Sequence, residues 1–129
     1  MTPAAKESPV LIRFVREQTV LRVHVIGAST LENTVTYWQA IVAEVQREAP
    51  EAIVLVDELQ GEPLTPEQWL NLVQAVAGQG LEPIRIAHVK PHGLQQIEYC
   101  ELYACEAGFD ARVFDDEHAA MLWVRWGER

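Results

Sequence analysis

The sequence predicts an α/β fold built around a mostly parallel sheet. β-rich runs alternate with segments of helical periodicity after an N-terminal hairpin, which is the usual signature of strands joined by helical crossovers. The run AIVLV at 52–56 is unbroken and apolar, as in a strand that is covered on both faces. The predicted order is β-β-α-β-α-β-α-β-α, so the sheet has the hairpin plus three further strands and is accompanied by four helices.

Length and composition indicate one folded domain. The chain has 129 residues, of which 49% are hydrophobic and 22% charged. A chain of this size buries roughly two thirds of its unfolded surface, so folding needs neither a metal nor a disulfide. We expect a flexible N-terminus at 1–8 and a single domain at 9–129.

Charge and hydropathy exclude two classes of partner. The formal net charge is −9, with 10 basic against 19 acidic residues, so the chain repels nucleic acid. The start MTPAAKESP lacks the apolar run of a signal peptide, and no segment reaches the ~20 apolar residues of a membrane span. We therefore expect a cytoplasmic protein with no membrane span.

The first half of the chain predicts a hairpin followed by a helix. VLIRFVRE and VLRVHVIG are β-rich and flank the polar tip 17–19. The next apolar residues are spaced by three and four, which predicts an amphipathic helix with these residues inward: Leu31, Val35, Trp38, Val42, Val45 and Ala49. Ser29 and Glu32 have the spacing of a capping box, and Pro50 marks the exit.

The middle of the chain predicts a strand, a loop and a second helix. The strand AIVLV is expected to stop at Asp57, and the helix to run from Thr65 to about Ala77. Thr65 at the N-cap, Pro66 at the first helical position and Gln68 two residues later predict a capping box. IRIAHV, at 84–89, is the next strand.

The last third predicts two more helices around a strand. Leu94, Ile97, Cys100 and Ala104 form the inward stripe of the third helix, which Gly108 closes. Cys100 and Cys105 point about 140° apart on that helix and cannot bridge each other. ARVF is the last strand. We expect Asp115 to cap a final helix whose inward face carries Ala119, Leu122, Trp123 and Trp126.

This order and three strings resemble the STAS domain, more closely its SpoIIAA-like branch of small bacterial proteins, which is related in shape to CRAL-TRIO lipid-binding domains. The strings are IVLVDELQGEPLTPEQW, GLEPIRIAHV and AGFDARVFDDEHAAMLWV, and the resemblance extends over nearly the whole chain from Val10. It implies a non-enzymatic module for regulation or ligand binding.

The resemblance also implies a place for the functional edge. STAS antagonists of anti-sigma factors carry a phosphorylated serine in an Asp-Ser-Ser-Gly string at the helix start after the central strand. Here the corresponding string is EPLTPEQW, which lacks that motif and offers Thr65 as its hydroxyl. The candidate binding or regulatory residues are Asp57, Glu58, Thr65 and Trp69. Thr65 is interpreted first as a helix cap and second as a regulated hydroxyl.

Two alternatives of other classes stay open. Tyr99, Tyr103, Trp123 and Trp126 are candidates for an apolar ligand pocket between helices and sheet, or for a homodimer surface. The second alternative, ranked below the first, is a receiver-like phospho-acceptor with Asp57 at a strand end and Lys90 after a later strand. It lacks the acidic pair that such domains carry after their first strand.

No catalytic or metal-binding pattern is present in the sequence. We find no Ser/His/Asp set, Gly-rich phosphate loop or Cys/His cluster, and Pro91 separates His88 from His92. The sequence therefore predicts a non-enzymatic protein without metal or cofactor, whose partner is another protein or a small apolar ligand.

Overall fold

The computed structural model describes residues 10–93 and 97–127. The elements are β1 (Leu11–Glu17), β2 (Val20–Ala28), α1 (Leu31–Arg47), β3 (Ala52–Gln60), α2 (Pro66–Val76), β4 (Arg85–Val89), α3 (Glu98–Glu106), β5 (Asp110–Phe114) and α4 (Glu117–Trp126). The predicted α/β class and element order are confirmed. The predicted flexible segment 1–8 and the predicted helix residue Leu94 lie outside the described residues.

The five strands form one mixed sheet in the order β1-β2-β3-β4-β5. β1 runs antiparallel to β2, from Leu11 opposite Ile26 to Glu17 opposite Val20, and the other three pairs are parallel. Gln18 has φ 59° in the tight turn between β1 and β2. The hairpin was therefore predicted at the right place, and the parallel strands follow from the helical crossovers.

The two faces of the sheet are covered unequally. We call the face under α1, α2 and α3 the inner face, and the face under α4 the outer face. The larger core lies on the inner face and includes Leu21, Tyr37, Ile53 and Leu55, all at 0% exposure. The smaller core, with Ala120 of α4 at its centre, lies on the outer face. Alternate residues of each strand supply the two faces.

The structure corrects two helix caps and one strand end. Thr30, not Ser29, caps α1 by accepting from Asn33 N, because Ser29 instead donates its hydroxyl to the Glu62 carbonyl in the loop after β3. Asp116, not Asp115, caps α4. β3 runs to Gln60 and not to Asp57, because β2 pairs with it over its full length.

The predicted inward face of α4 is wrong in part. Ala120 is buried, and Met121, Trp123 and Val124 pack against the outer-face core. Leu122 and Trp126, which the sequence placed inward, are 49% and 77% exposed. The pattern misled because one helix on an open sheet face is apolar over most of its circumference, so periodicity does not fix its rotation.

Candidate functional site

A buried polar cluster lies at the carboxyl end of β3, on the inner face. It is formed by Asp57, His88, Lys90 and Tyr37, and the first three side chains are only 4–5% exposed. His88 Nε2 lies 2.9 Å from Asp57 Oδ2, and the Tyr37 hydroxyl donates to the same oxygen over 3.4 Å. The parallel register of β3 and β4 sets His88 opposite Leu55, the inner-face residue that precedes Asp57 on β3, so His88 reaches Asp57 diagonally on the same sheet face.

Lys90 and the backbone complete the cluster. Lys90 Nζ donates to Asp57 Oδ1 over 3.3 Å and to the Leu59 carbonyl over 2.5 Å. The Leu59 amide donates to the same Asp57 oxygen over 3.0 Å. Each carboxylate oxygen of Asp57 therefore has two partners, which is the full hydrogen-bonding capacity of an ionised carboxyl group.

The cluster fixes the protonation state of two of its members. Burial raises the pKa of Asp57, but the hydrogen bond and charge of His88, the charge of Lys90 and the Leu59 amide outweigh it, and the pKa lies below its ordinary value. Burial, and then the charge of Asp57, raise the pKa of Tyr37 well above its ordinary value. Asp57 is thus an anion and Tyr37 a neutral donor at neutral pH.

These hydrogen bonds hold the Asp57 carboxylate in place and keep it away from solvent. A carboxylate that accepts phosphate or holds a substrate must be reachable from solvent, and Asp57 is 4% exposed. Its oxygens are saturated by groups from α1, β3 and the end of β4. What the cluster does is hold the start of the loop after β3, and with it the approach to α2, in one position.

Glu58 lies next to Asp57 in sequence but on the other side of the sheet. Its Oε2 is 2.6 Å from Nε2 of His24 on β2, and the two side chains are 44% and 38% exposed. The two neighbouring carboxylates, which the sequence offered together as candidate binding residues, therefore belong to different surfaces.

Thr65 begins α2 as an exposed cap. Its hydroxyl accepts from the Gln68 amide over 3.1 Å, and the Gln68 side-chain oxygen accepts from the Thr65 amide over 2.9 Å. The predicted capping box is confirmed, and such a cap contributes about 1 kcal/mol. Residues 61–63 and 65–67 are exposed, so the loop and the helix start form a protruding edge.

A surface groove begins beside this edge and runs between α1 and α2. Its volume is about 480 Å³. From Leu31 to Gln46 it follows α1 for about 22 Å, at 1.5 Å per residue. Trp38, Val42 and Leu72, all buried, belong to its apolar floor. Five amide side chains also line it: Gln39, Gln46, Gln68, Asn71 and Gln79.

The groove lining contains no charged side chain among the described residues. This is unusual for a chain in which 22% of residues are charged. The Gln46 side chain donates to the Gln79 carbonyl over 3.2 Å and closes the far end of the groove. Gln68 belongs both to the groove and to the capping box of Thr65, so the helix start and the groove form one continuous surface.

The aromatic candidates separate into different environments. Trp69 is 3% exposed and lies edge-on to His88, with ring centroids 6.1 Å apart, so it covers the buried cluster. Tyr99 and Tyr103 stack on α3 on the inner-face side. Trp123 lies on the outer-face side beneath Arg85, and Trp126 projects into solvent. The structure does not bring these last four side chains into one pocket.

The cavity beneath the helices is small. It lies between α2, α3 and the sheet, beside Trp38, Trp69 and His88, and has a volume of about 30 Å³. Pockets that hold drug-sized ligands have roughly 300–1,000 Å³. This conformation therefore has no room for a lipophilic ligand at that place.

The described residues offer neither a metal-binding cluster nor a helix suited to span a membrane. Residues 10–93 and 97–127 contain no group of three or more His, Cys, Asp or Glu side chains able to hold a metal ion. Among the helices in those ranges, none has both the length and the apolar content that crossing a bilayer requires.

Comparison with known proteins supports the fold alone. The chain matches no protein-family model and none of the curated proteins. It is similar to the NMR structure of the protein TM1081, with a TM-score of 0.51 and 17% sequence identity over 90% of each chain. At this identity the likeness shows a shared arrangement of strands and helices.

Sequence reasoning identified Asp57 and Lys90 as strand-end residues but missed that Tyr37 and His88 join them. The signal was present in part, because His88 occupies an inner-face position of β4 between Ile86 and Lys90. Nothing local distinguished it from a packed histidine. The groove gave no signal in the sequence, since it depends on how far apart α1 and α2 lie.

Proposed function

We propose that this protein is a non-enzymatic binding module that captures a segment of a partner protein in the groove between α1 and α2. The observation that carries the proposal is the uncharged groove of about 480 Å³, which opens directly beside the exposed start of α2. An open, apolar-floored groove of this kind is suited to a peptide segment that covers it along its length.

The shape and chemistry of the groove favour a helical segment with apolar side chains on one face. A length of about 22 Å matches roughly four helical turns of a partner. Apolar anchors would pack on Trp38, Val42 and Leu72, while the amide rim offers both donors and acceptors to the polar flanks of the segment. The centres of protein interfaces are depleted of charged residues, as this groove is.

The buried cluster supports the same proposal from below. Asp57, His88 and Lys90 hold the end of β3, and Trp69 of α2 packs on His88. Because the start of α2 is already held in place, binding a partner there costs less conformational entropy. The cluster is thus a support for the binding edge 57–69, and Thr65 is the group at that edge which is open to modification.

The STAS resemblance fits this proposal but adds one element. In that family a phosphorylated hydroxyl lies at the helix start that corresponds to Thr65. A phosphate on Thr65 would interact favourably with the positive end of α2 and unfavourably with the nearby Glu62 and Glu67. Gln68 hydrogen-bonds to Thr65 and also lines the groove, so a phosphate on Thr65 would change one wall of the groove. Phosphorylation and partner binding would therefore be coupled at this edge.

Photo-crosslinking in the cells that make the protein tests the proposal. Benzoylphenylalanine is introduced at Asn71, which is exposed in the groove, and in a matched chain at Glu106, which is exposed on α3 outside it. We expect one discrete protein adduct from position 71 and none of the same mass from position 106.

A second substitution shows whether the adduct depends on the groove itself. Ala43→Arg places a charged side chain at an exposed groove position, whereas Thr36→Arg places the same side chain on α1 outside the groove. The adduct at position 71 should be lost with Ala43→Arg and kept with Thr36→Arg. Equal adducts at both crosslinker positions, or an adduct indifferent to Ala43→Arg, would disprove the proposal.

A further inference from the structure

We propose that the outer face of β1 and β2 is covered by α4 of a second copy of this chain. Within one chain, α4 contacts β3, β4 and β5, and Arg85 holds its end by donating to the Trp123 and Gly127 carbonyls over 2.8 and 2.7 Å. On β2, Val20 packs in the outer-face core and Arg22 pairs with Glu117 of α4. The described residues place no helix over the rest of the outer face of β1 and β2. We call it the bare half.

The bare half is defined by the outer-face side chains of the two strands: Leu11, Arg13, Val15, Arg22, His24 and Ile26. Their register places them on one surface, with Leu11 beside Ile26, Arg13 beside His24, and Val15 beside Arg22. Leu11, Ile26 and Val15 are 63%, 46% and 37% exposed. Leu11 and Ile26 form an exposed apolar pair at one end of the strip, and Val15 lies beyond Arg13 and His24. Exposed apolar side chains grouped on an open sheet face are a common mark of an interface.

The bare half has the dimensions of one helix. Two strands at a spacing of about 4.8 Å give a strip about 10 Å wide, and a helix with its side chains is about 10–12 Å across. α4 has ten residues and is therefore about 15 Å long, shorter than the roughly 24 Å of β1. A helix of the length of α4 fits the strip without overhanging it.

α4 itself carries apolar side chains that the described part of the chain leaves exposed. Leu122 and Trp126 are four residues apart and share one side of the helix, and they are 49% and 77% exposed. The bare half and this side of α4 lie on the same face of the sheet. Each copy therefore has an exposed sheet surface, the bare half, and an exposed side of α4 that could pack against the bare half of another copy.

Charge complementarity selects the same pairing. The bare half carries Arg13, Arg22 and His24. Arg22 pairs with Glu17 and Glu117 and His24 pairs with Glu58, so among the described residues Arg13 is the cation of the strip that has no ion-pair partner. The start of α4 is acidic, with Asp115, Asp116 and Glu117 in a row. Arg22 already pairs with Glu117 of its own chain, so the attraction to the helix start of a second copy is carried by Arg13 and the neighbouring aspartates.

A two-fold axis parallel to the strands, between α4 and the bare half, satisfies both copies at once. It places each α4 on the bare half of the other chain and sets the two helices side by side between two sheets. The interface is then isologous, with two identical strip-to-helix contacts. The groove between α1 and α2 lies on the inner-face side and stays open in this dimer.

Sedimentation velocity of the full-length protein at micromolar concentration tests the dimer with three variants. Ile26→Asp changes only the strip, and Leu122→Lys changes only the helix. Leu102→Lys is the matched control, because Leu102 on α3 is also 49% exposed. We expect the wild type and Leu102→Lys to sediment as dimers, and Ile26→Asp and Leu122→Lys as monomers with native circular dichroism.

An equimolar mixture of the two monomeric variants gives the decisive result. A mixed dimer has one native strip-to-helix contact, and its other contact brings the new aspartate against the new lysine. The mixture should therefore recover dimers. A monomeric wild type, or a mixture that stays monomeric, would overturn the pairing. The pairing would also be overturned if Ile26→Asp alone and Leu122→Lys alone both remained dimeric.

Discussion

Two carboxylate–histidine pairs lie on opposite faces of the same sheet, supplied by adjacent residues of β3. Asp57 meets His88 at 2.9 Å on the inner face, where both side chains are about 95% buried. Glu58 meets His24 at 2.6 Å on the outer face, where both are about 40% exposed. The distances are similar, so the difference between the pairs lies in their surroundings and not in their geometry.

The comparison shows that burial determines what such a pair does. On the inner face, Lys90 and Tyr37 also bind the carboxylate, and three helices exclude water from it. Removing one partner there leaves a charge without compensation in a medium of low polarity. On the outer face, water takes the place of a lost partner, and the pair contributes little to stability.

Asp57→Asn should produce the largest effect. The substitution leaves the buried ammonium group of Lys90 without its counter-ion, so we expect the free energy of unfolding to fall by about 3–5 kcal/mol. Urea denaturation followed by circular dichroism measures it. If the single variant does not fold, Asp57→Leu combined with Lys90→Met should recover structure, because it removes both buried charges together. A loss below about 1 kcal/mol would mean that the cluster is open to water.

Acidification should produce a smaller loss through the same carboxyl group. The pKa of Asp57 is lower in the folded protein than its ordinary value of about 3.9. Its ionised form therefore stabilises the fold above pH 4, and this contribution is lost as the pH falls through the folded-state pKa.

Urea midpoints measured between neutral and acid pH check this second prediction. They should decline below pH 4 more steeply in the wild type than in the Asp57→Leu, Lys90→Met variant, which lacks the titrating group. Parallel declines in the two proteins would assign the acid sensitivity to other carboxylates, such as Glu44, whose pKa Arg47 and Arg16 lower to about 2.

Glu58→Gln should have the smallest effect. The exposed pair with His24 is screened by solvent, and the amide keeps an oxygen that accepts from the ring, so we expect a change in unfolding free energy within about 1 kcal/mol. The same urea titration serves as the measurement. A loss as large as that of Asp57→Asn would show that the outer face is covered in solution, which is the condition the proposed dimer would create near β2.

The sequence alone determined the order of strands and helices. Helical spacing in α1 and α2, the apolar run of β3 and the hairpin tip are local patterns, and local patterns specify local structure. The capping box at Thr65 was predictable for the same reason, because all of its atoms lie within four residues. Pro50 and Gly108, which mark the ends of α1 and α3, were predictable for the same local reason.

Only the tertiary structure decided what lies against what. Asp57 and His88 are 31 residues apart, and Tyr37 reaches them from α1, so no spacing along the chain could join them. The division of Asp57 and Glu58 between two faces, the groove between α1 and α2 and the bare half of the sheet arise in the same way. They depend on how far apart the helices lie and on which strands a helix covers, and packing of the whole chain sets both.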